Sequence, residues 1–184
     1  MSIIPITVYG DKILRQKAKP VKQVTDEIVV KIKNMFDSMR NAHGVGLAAN
    51  QIGYTDSIFV IDLNGVDGYE NFKPIVMINP QIVLESDEKV IYEEGCLSLP
   101  NLRADVERAE IIKVRYLDTD EIEREIEADD FYARVILHEY DHLIGKMIPD
   151  RVENNVKKKL QEELGKIINR EVKIDYEITD RQTS

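Results

Sequence analysis

Two histidines in the C-terminal part of the chain are spaced as ligands of one metal ion. The run His138-Glu139-Tyr-Asp-His142 places two imidazoles four residues apart, one turn apart on the same face of a helix. Glu139 follows the first histidine directly, where its carboxylate can reach a water at the ion. A structural interpretation stays open, in which both histidines are core residues and the acids are only solvated. Because buried histidines without partners are costly, the pattern favours a metal site.

A catalytic site of this type needs a third protein ligand and leaves a fourth position for water. The metzincin pattern requires a histidine at 148, where this chain has Ile148, and a gluzincin uses a distant glutamate. The sole cysteine, Cys96, is by itself most often a small buried apolar residue. It could also be a nucleophile with His43 as its base. Beside the histidine pair, a thiolate third ligand becomes the favoured interpretation.

A glycine-rich segment, GVGLAANQIG over residues 44–53, follows His43. Its composition predicts a close-packed loop rather than a regular strand. Gly44 and Gly46 would let a substrate backbone approach closely and pair like a strand. They are equally compatible with a tight turn that requires positive φ, and both interpretations stay open.

Three segments together resemble the motifs of the peptide deformylases. These are GVGLAANQ at 44–51, EGCLS at 94–98 and HEYDH at 138–142, in that order. The similarity of layout covers roughly residues 5–170. Each motif alone is moderately specific, whereas the three in order are highly specific.

Two positions depart from the family pattern. Leu137 stands where many members have Gln directly before the His-Glu pair, and Glu107 stands where Pro is common. Leu137 is expected to point away from the metal face. The exchange of Pro for Glu107 means that the family pattern does not determine the strand geometry at this position. No metal-ligand or catalytic position is missing, which argues against an inactive relative.

The resemblance implies a role for each matching residue. The implied roles are metal binding by Cys96, His138 and His142; general base and then general acid for Glu139; an oxyanion hole from Gln51 and the backbone N–H of Leu97; and peptide binding by the backbone of Val45 and Gly46. The metal in this family is usually Fe²⁺, with Zn²⁺, Ni²⁺ or Co²⁺ as substitutes. The sequence alone does not name the native ion, because cysteine and two histidines suit all four.

The implied reaction removes the N-formyl group from the initiator methionine of new polypeptides and releases formate. A divalent ion lowers the pKa of water from ~15.7 towards ~7, and Glu139 would take the proton. Gln51 would offer a neutral donor to the formyl oxygen, and losing one such donor typically costs ~2.7–4 kcal/mol.

Further residues are candidates for contacts with the substrate. Phe131 and Val135 precede His138 by two turns and one turn, and with Val45 they could line an apolar slot for a methionine side chain. Ordinary core packing is the alternative for this pair. Glu94 of the second motif and Arg103 complete the substrate-binding candidates, although most surface arginines have no specific role.

Helices and antiparallel strands must position these residues. Thr25, followed by two acids, predicts an N-cap, and Gly44 and Gly145 are plausible helix ends. We predict helices over about 25–42, 130–144 and 152–170, and strands over 58–62, 75–79, 81–85, 89–92, 111–117 and 121–127. The expected fold class is α+β, with mainly antiparallel β-sheets packed around a central metal-binding HExxH helix, an N-terminal helix and a C-terminal helix.

Composition bounds the remaining possibilities. The 184 residues predict a single catalytic domain over 1–173 and a polar, frayed tail over 174–184. The chain has no apolar run of bilayer length, no signal segment and one cysteine, which predicts a cytoplasmic protein without a membrane partner. The net charge of −9 argues against DNA as a partner.

The charge is nevertheless uneven. Residues 151–173 carry a net charge of +3, whereas residues 1–150 carry −10. The resemblance to bacterial family members implies ribosome docking through this basic C-terminal helix, with its lysines and arginine facing solvent: Lys157, Lys158, Lys159, Lys166 and Arg170. A solvated helix face without a partner is the alternative.

Two other functions compete with deformylation of N-formylmethionyl nascent peptides. One is an HExxH-type zinc endopeptidase, which is disfavoured because neither usual third ligand is evident. The other is a non-catalytic metal-binding protein that docks to the ribosome. A structural zinc site would normally use four protein ligands, whereas this chain offers three with an acid beside them.

Overall fold

Two antiparallel sheets and four α-helices make up the described part of the fold. The structure is a computed structural model that describes residues 2–181. One sheet has five strands in the order β1-β2-β3-β6-β7, and β4 and β5 form a separate hairpin. The strands are β1 (Gly46–Ala48), β2 (Ile58–Ile61), β3 (Ile75–Glu85), β4 (Lys89–Cys96), β5 (Leu99–Ala109), β6 (Ile112–Leu117) and β7 (Glu123–Ala128). The helices are α1 (Asp26–Asn41), α2 (Asp130–Leu143), α3 (Asn154–Lys159) and α4 (Gln161–Asn169). The predicted α+β class is confirmed.

Helix α1 begins and ends close to its predicted bounds. The Thr25 hydroxyl accepts a hydrogen bond from the Ile28 N–H at 3.4 Å, as an N-cap does. The helix buries one apolar face against β1 and β2. The left-handed residue after its end is His43, with φ 55°, and not the predicted Gly44. The stop therefore arises one residue earlier than the glycine suggested.

Helix α2 lies between the five-stranded sheet and the β4–β5 hairpin. One side packs into an apolar cluster with β2, β3 and β6, to which Ala133, Ile136 and Leu137 contribute. Its other side carries polar groups toward the hairpin, where Arg134 donates to the carbonyl of Val106. The buried Leu137 packs in the apolar cluster, away from the metal face, as predicted.

The strands differ from the predicted ones in four places, the first being β4, which was predicted to end at Tyr92 and runs to Cys96. Strand β5 was not predicted, because Arg108 lies at an inward position and breaks the apolar alternation set by Leu102, Ala104 and Val106. Strand β3 runs through Pro80 without a break. Proline has no backbone N–H to donate to the neighbouring strand, and the pairing of β3 with β6 shifts its register beside this residue. The glycine-rich segment contains the short strand β1, although a strand was not expected there.

The predicted C-terminal helix over 152–170 is two helices, separated at Leu160. Its apolar stripe packs on the main core, as predicted. Arg170 does not face solvent: it adopts a left-handed conformation and its guanidinium lies 2.6 Å from the Asp11 carboxylate. Residues 182–184 of the predicted tail lie outside the described residues.

The expectation of a frayed tail is wrong for residues up to Thr179. The Ile6 N–H donates to the Glu177 carbonyl at 2.9 Å, and the Thr179 N–H donates to the Ile6 carbonyl at 2.9 Å. These two bonds form a parallel bridge between the two ends of the chain. Between residues 2 and 181, no helix has the length and apolar character to cross a bilayer.

Candidate active site

The three predicted metal ligands come together at one point. Donor atoms of Cys96, His138 and His142 all lie within 4.8 Å of one another. The His142 Nε2 is 3.2 Å from the Cys96 Sγ. Both histidines come from α2, one turn apart, and the cysteine comes from the end of β4. A thiol and two imidazoles form a donor set that suits iron, zinc, nickel or cobalt, so the residues fit a divalent transition ion.

The hairpin turn between β4 and β5 brings the cysteine to the helix. Cys96 pairs with Leu99, so only Leu97 and Ser98 form the turn. A register shift between Gly95 and Cys96 bends the strand immediately before the sulfur. We use the name "β4–β5 turn" for Cys96–Leu99. The turn therefore presents the cysteine side chain and the Leu97 peptide side by side.

The Glu94 carboxylate contacts the His138 ring at the nitrogen that faces away from Cys96. The Glu94 Oε2 lies 2.9 Å from the His138 Nδ1, which leaves the other ring nitrogen to face Cys96. Both carboxylate oxygens are bound by arginines as well. The Glu94 carboxylate orients the His138 ring, and the predicted contact of Glu94 with substrate stays a prediction.

Two buried arginines, which the sequence analysis missed, neutralise this carboxylate. Arg108 donates to it at 2.7 and 3.0 Å, and Arg134 donates to it at 2.9 Å. Burial alone would raise the pKa of Glu94, but hydrogen bonds from His138 and Arg108 hold that pKa well below its usual range. Arg134 precedes His138 by one helical turn, a spacing that could have indicated its role. Arg108 also binds Asp141 at 2.7 Å.

Glu139 is buried beside the three predicted metal ligands. Its Oε2 is buried and has no hydrogen-bond partner among the described residues. Burial raises the pKa of Glu139 to about 7, although the charge of His138 acts in the opposite direction. A carboxylate with a free oxygen and such a pKa can take up and return a proton near neutral pH.

The position of the Glu139 side chain leaves no room for a side chain at residue 46, which is a glycine. A Cβ at Gly46 would lie 2.5 Å from the Glu139 Oε1, closer than any real contact. At Gly44, a Cβ would lie 2.7 Å from the Leu97 Cδ1. Neither glycine has positive φ, so the tight-turn interpretation is wrong. The space these glycines leave is filled by Glu139 and Leu97.

The Gln51 amide is oriented by its neighbours. Its Oε1 accepts a hydrogen bond from the Ala48 N–H at 2.8 Å. Its Nε2 then points to the β4–β5 turn, 3.2 Å from the Ser98 Oγ and 3.6 Å from the Cys96 Sγ. The residue is 1% exposed. A fixed N–H donor thus lies beside the thiol.

A cavity of about 890 Å³ opens onto these groups. Its lining includes the predicted residues Val45, Gly46, Gln51, Glu94, Cys96, Leu97, Arg103, Phe131, Val135, His138 and Glu139. Arg103 lies at the rim, with its guanidinium 3.6 Å from the Glu93 carboxylate. The wall also has parts that were not predicted, among them residues 99–102 after the predicted cysteine motif and the segment 173–176 near the C-terminus.

The alternative pairing of Cys96 with His43 is not supported. The His43 side chain is 78% exposed and lies 3.7 Å from the Asp175 carboxylate. It is not part of the donor cluster around the cysteine, which contains His138 and His142.

Known proteins resemble this chain over most of its length. A family model described as polypeptide deformylase matches residues 3–158. A peptide deformylase from Chlorobium phaeovibrioides is 42% identical over 174 residues, covering 95% of this chain and 91% of the relative. The crystal structure of a peptide deformylase from Legionella pneumophila superposes with a TM-score of 0.83 at 35% identity, covering 92% of this chain and 98% of the other. A peptide deformylase from Synechococcus elongatus, solved in complex with actinonin, gives 0.80 at 39% identity, covering 91% and 87%.

Proposed function

The chain belongs to the polypeptide deformylase family, an enzyme family that removes the N-formyl group of nascent peptides, and on this premise we propose how its residues perform that hydrolysis. The reaction converts an N-formylmethionyl peptide and water into a free amino terminus and formate. The convergence of Cys96, His138 and His142 beside a buried Glu139 carries the proposal. We further propose that residues 1–173 form a single catalytic domain, whose cavity wall is completed by the segment 173–176, and that the protein acts in the cytoplasm, where new chains emerge.

Cys96, His138 and His142 would hold the divalent metal on which this family depends. When bound, the ion supplies Lewis acidity, which polarises the formyl carbonyl and makes water more acidic. We propose Fe²⁺ as the native ion, with Zn²⁺, Ni²⁺ or Co²⁺ as substitutes. Glu94 keeps His138 in one tautomer, and this supports a fixed ligand geometry.

Glu139 would act first as base and then as acid. Its carboxylate takes a proton from the water whose oxygen forms a bond to the formyl carbon. When the carbon–nitrogen bond breaks, the same proton passes to the departing amine nitrogen, and the formic acid that remains loses its own proton to become formate. The unpartnered Oε2 and the pKa near 7 support both roles.

Gln51 and the Leu97 backbone N–H would stabilise the charge that builds on the formyl oxygen. The Gln51 amide is held with its Nε2 toward the β4–β5 turn, so donors are arranged before substrate arrives. Donors that need no rearrangement contribute most to lowering the barrier.

The peptide substrate would pair with the backbone of Val45 and Gly46. Strand β1 lies at the end of the five-stranded sheet and, among residues 2–181, pairs with β2 alone. An extended peptide can add to such an edge. Phe131 and Val135 line the cavity beside it and would receive the methionine side chain, and Arg103 at the rim would steady the peptide chain.

The ligand set favours deformylation over the competing functions. An HExxH endopeptidase uses a glutamate or a third histidine, whereas the third donor here is the thiol of Cys96. A structural zinc site would use four protein ligands, whereas the described cluster has three, with Glu139 beside it.

Formate release from a short formyl-Met peptide tests the proposal, and we expect it from both iron-loaded and zinc-loaded protein. The iron form should be the more active when fresh, lose activity in air and be protected by a reductant. The zinc form should keep its activity, because zinc has no redox chemistry. Coupled detection of formate, before and after exposure to air, measures both effects.

Cleavage of an internal peptide bond in an unformylated peptide, without release of formate, would instead indicate an endopeptidase. Equal stability of carefully prepared iron and zinc enzymes in air would contradict the proposed effect of iron. Absence of any hydrolysis by the metal-loaded protein would leave the non-catalytic interpretation.

We also propose that α3 docks to ribosomal RNA, as a second role of the same protein. Lys158 and Lys159 are exposed, and Lys157 is half-buried, 3.8 Å from the Asp150 carboxylate. Arg170 is bound to Asp11 and does not contribute to this surface. The net −10 of residues 1–150 would orient this helix toward RNA by repelling the rest of the molecule.

Changing Lys157, Lys158 and Lys159 together to Glu should reduce co-sedimentation with ribosomes at low salt. Binding by phosphate contacts weakens steeply with salt, so the parent should lose its binding as salt rises. Hydrolysis of a free formyl-peptide should be unchanged. Changing three dispersed, exposed lysines (Lys22, Lys73 and Lys89) to Glu alters the net charge equally and is the matched control. Equal co-sedimentation of parent and helix variant would show that α3 only covers the core.

A further inference from the structure

The C-terminal segment 171–181 lies beyond the residues that the family model matches, yet it forms part of the active-site wall. The family model ends at residue 158. Arg170 turns the chain back through its left-handed conformation and its bond to Asp11. The bridge between Ile6 and Ile178 then fixes the segment on the main domain. Residues 173–176 consequently reach the cavity.

Tyr176 makes the closest connection between this segment and the site. Its hydroxyl donates to the carbonyl oxygen of Leu97 at 2.8 Å. The ring is half-buried and packs against the main core, which restricts its motion. Burial raises the pKa of Tyr176, so the hydroxyl keeps the proton that this bond requires.

The carbonyl that accepts the Tyr176 hydrogen bond lies in the β4–β5 turn, which also contains Cys96 and the Leu97 N–H. Two other contacts hold the far side of this turn. The Tyr9 N–H donates to the Ser98 carbonyl at 2.9 Å, and the Gln51 Nε2 lies 3.2 Å from the Ser98 Oγ. Tyr176 alone binds the Leu97 carbonyl among the side-chain contacts of residues 2–181.

We propose that Tyr176 is a positioning residue for deformylation, which holds the Leu97 peptide groups so that the Leu97 N–H points at the formyl oxygen. The inference rests on the proposed function of Leu97. The carbonyl that Tyr176 binds belongs to the Leu97–Ser98 peptide, whereas the Leu97 N–H belongs to the preceding Cys96–Leu97 peptide, and the two planes meet at the Leu97 Cα. When the carbonyl loses its anchor, rotation about the Leu97 backbone dihedrals can turn the N–H away from the substrate. Because oxyanion donors act through alignment, a small rotation is sufficient to slow the reaction.

Tyr176→Phe removes the hydroxyl and keeps the ring, so it tests the bond with little change in packing. We expect kcat for a formyl-Met peptide to fall about tenfold, with KM within about twofold of the parent, because the lost interaction acts in the transition state. Tyr54→Phe is the matched control. The Tyr54 hydroxyl accepts from Asn34 at 3.1 Å, and its ring packs on the same core.

A second readout does not depend on activity. With Co²⁺ as the probe, the absorption band of the thiolate–cobalt bond reports the geometry at Cys96. The band should shift or change intensity in Tyr176→Phe and match the parent in Tyr54→Phe. Thermal midpoints of both variants show whether Tyr176→Phe costs more stability than the control, and kinetics are compared well below both midpoints.

The possible outcomes separate two failures. If the parent releases no formate, the proposed function fails, and this inference fails with it. If the parent is active and both variants have the parent's kcat and cobalt spectrum, only the role of Tyr176 is overturned. Equal losses of kcat in both variants, or a loss confined to KM, would also overturn it.

Discussion

Replacing Glu139 with Ala is expected to lower kcat by about 10²–10⁴-fold while the metal stays bound, the range typical for loss of a general acid–base group. The three ligand donors come from other residues and remain in place. The variant keeps Glu94 behind His138, so the ligand geometry should persist. Kinetics with a formyl-Met peptide and metal analysis of the same preparation measure the two effects separately.

Two further variants sharpen this test. Glu139→Gln keeps the size of the side chain but cannot take up a proton, so it should be nearly as inactive as Glu139→Ala. Glu127→Ala removes an exposed carboxylate from β7 and should behave as the parent. A loss of metal in parallel with activity would mean that the assignment of base and ligands is wrong.

Replacing Cys96 with Ser is expected to weaken metal retention strongly and to change which ion the protein prefers. A hydroxyl is a far poorer ligand than a thiolate, and soft ligands favour zinc and iron over harder ions. The β4–β5 turn and the Gln51 amide should tolerate the exchange, since serine is similar in size. Metal content after dialysis against a chelator, compared with the parent, measures the effect.

His43→Ala is the matched control for this variant. The His43 side chain is exposed and is not part of the donor cluster, so its loss should leave the metal content unchanged and the metal-loaded enzyme active. Inactivation of the metal-loaded His43→Ala enzyme would favour the cysteine–histidine pair as nucleophile and base. Full metal occupancy and near-normal turnover in Cys96→Ser would contradict the assignment of Cys96 as a ligand and support its interpretation as a core residue.

The local sequence was sufficient to predict the helices that matter for the site. The four-residue spacing of His138 and His142 indicates one face of one helix, and α2 has them on that face. The Thr25 cap and the apolar stripe after it predicted α1 within one residue at each end. Such features depend on interactions within one or two turns, which is why a linear pattern contains them.

The strands were harder to predict where charge is buried. Glu107 and its neighbours pair with β4 in regular register, although the departure from the family pattern left this geometry open. Strand β5 was not predicted because a charged residue, Arg108, occupies one of its inward positions. A buried arginine is tolerated only when oppositely charged partners surround it. Those partners, Glu94 and Asp141, lie on β4 and α2, and no local pattern connects them.

The sequence by itself determined the chemistry: a thiol, two imidazoles and a carboxylate in motifs that resemble one family, together with an α+β order of elements. Only the tertiary structure decided what surrounds them. It showed that Glu94 orients His138, that Gly46 leaves space for Glu139, and that Tyr176 reaches Leu97 from the C-terminal segment. The physical reason is distance along the chain: Tyr176 and Leu97 are 79 residues apart, and contacts of this kind form only when the whole chain has folded.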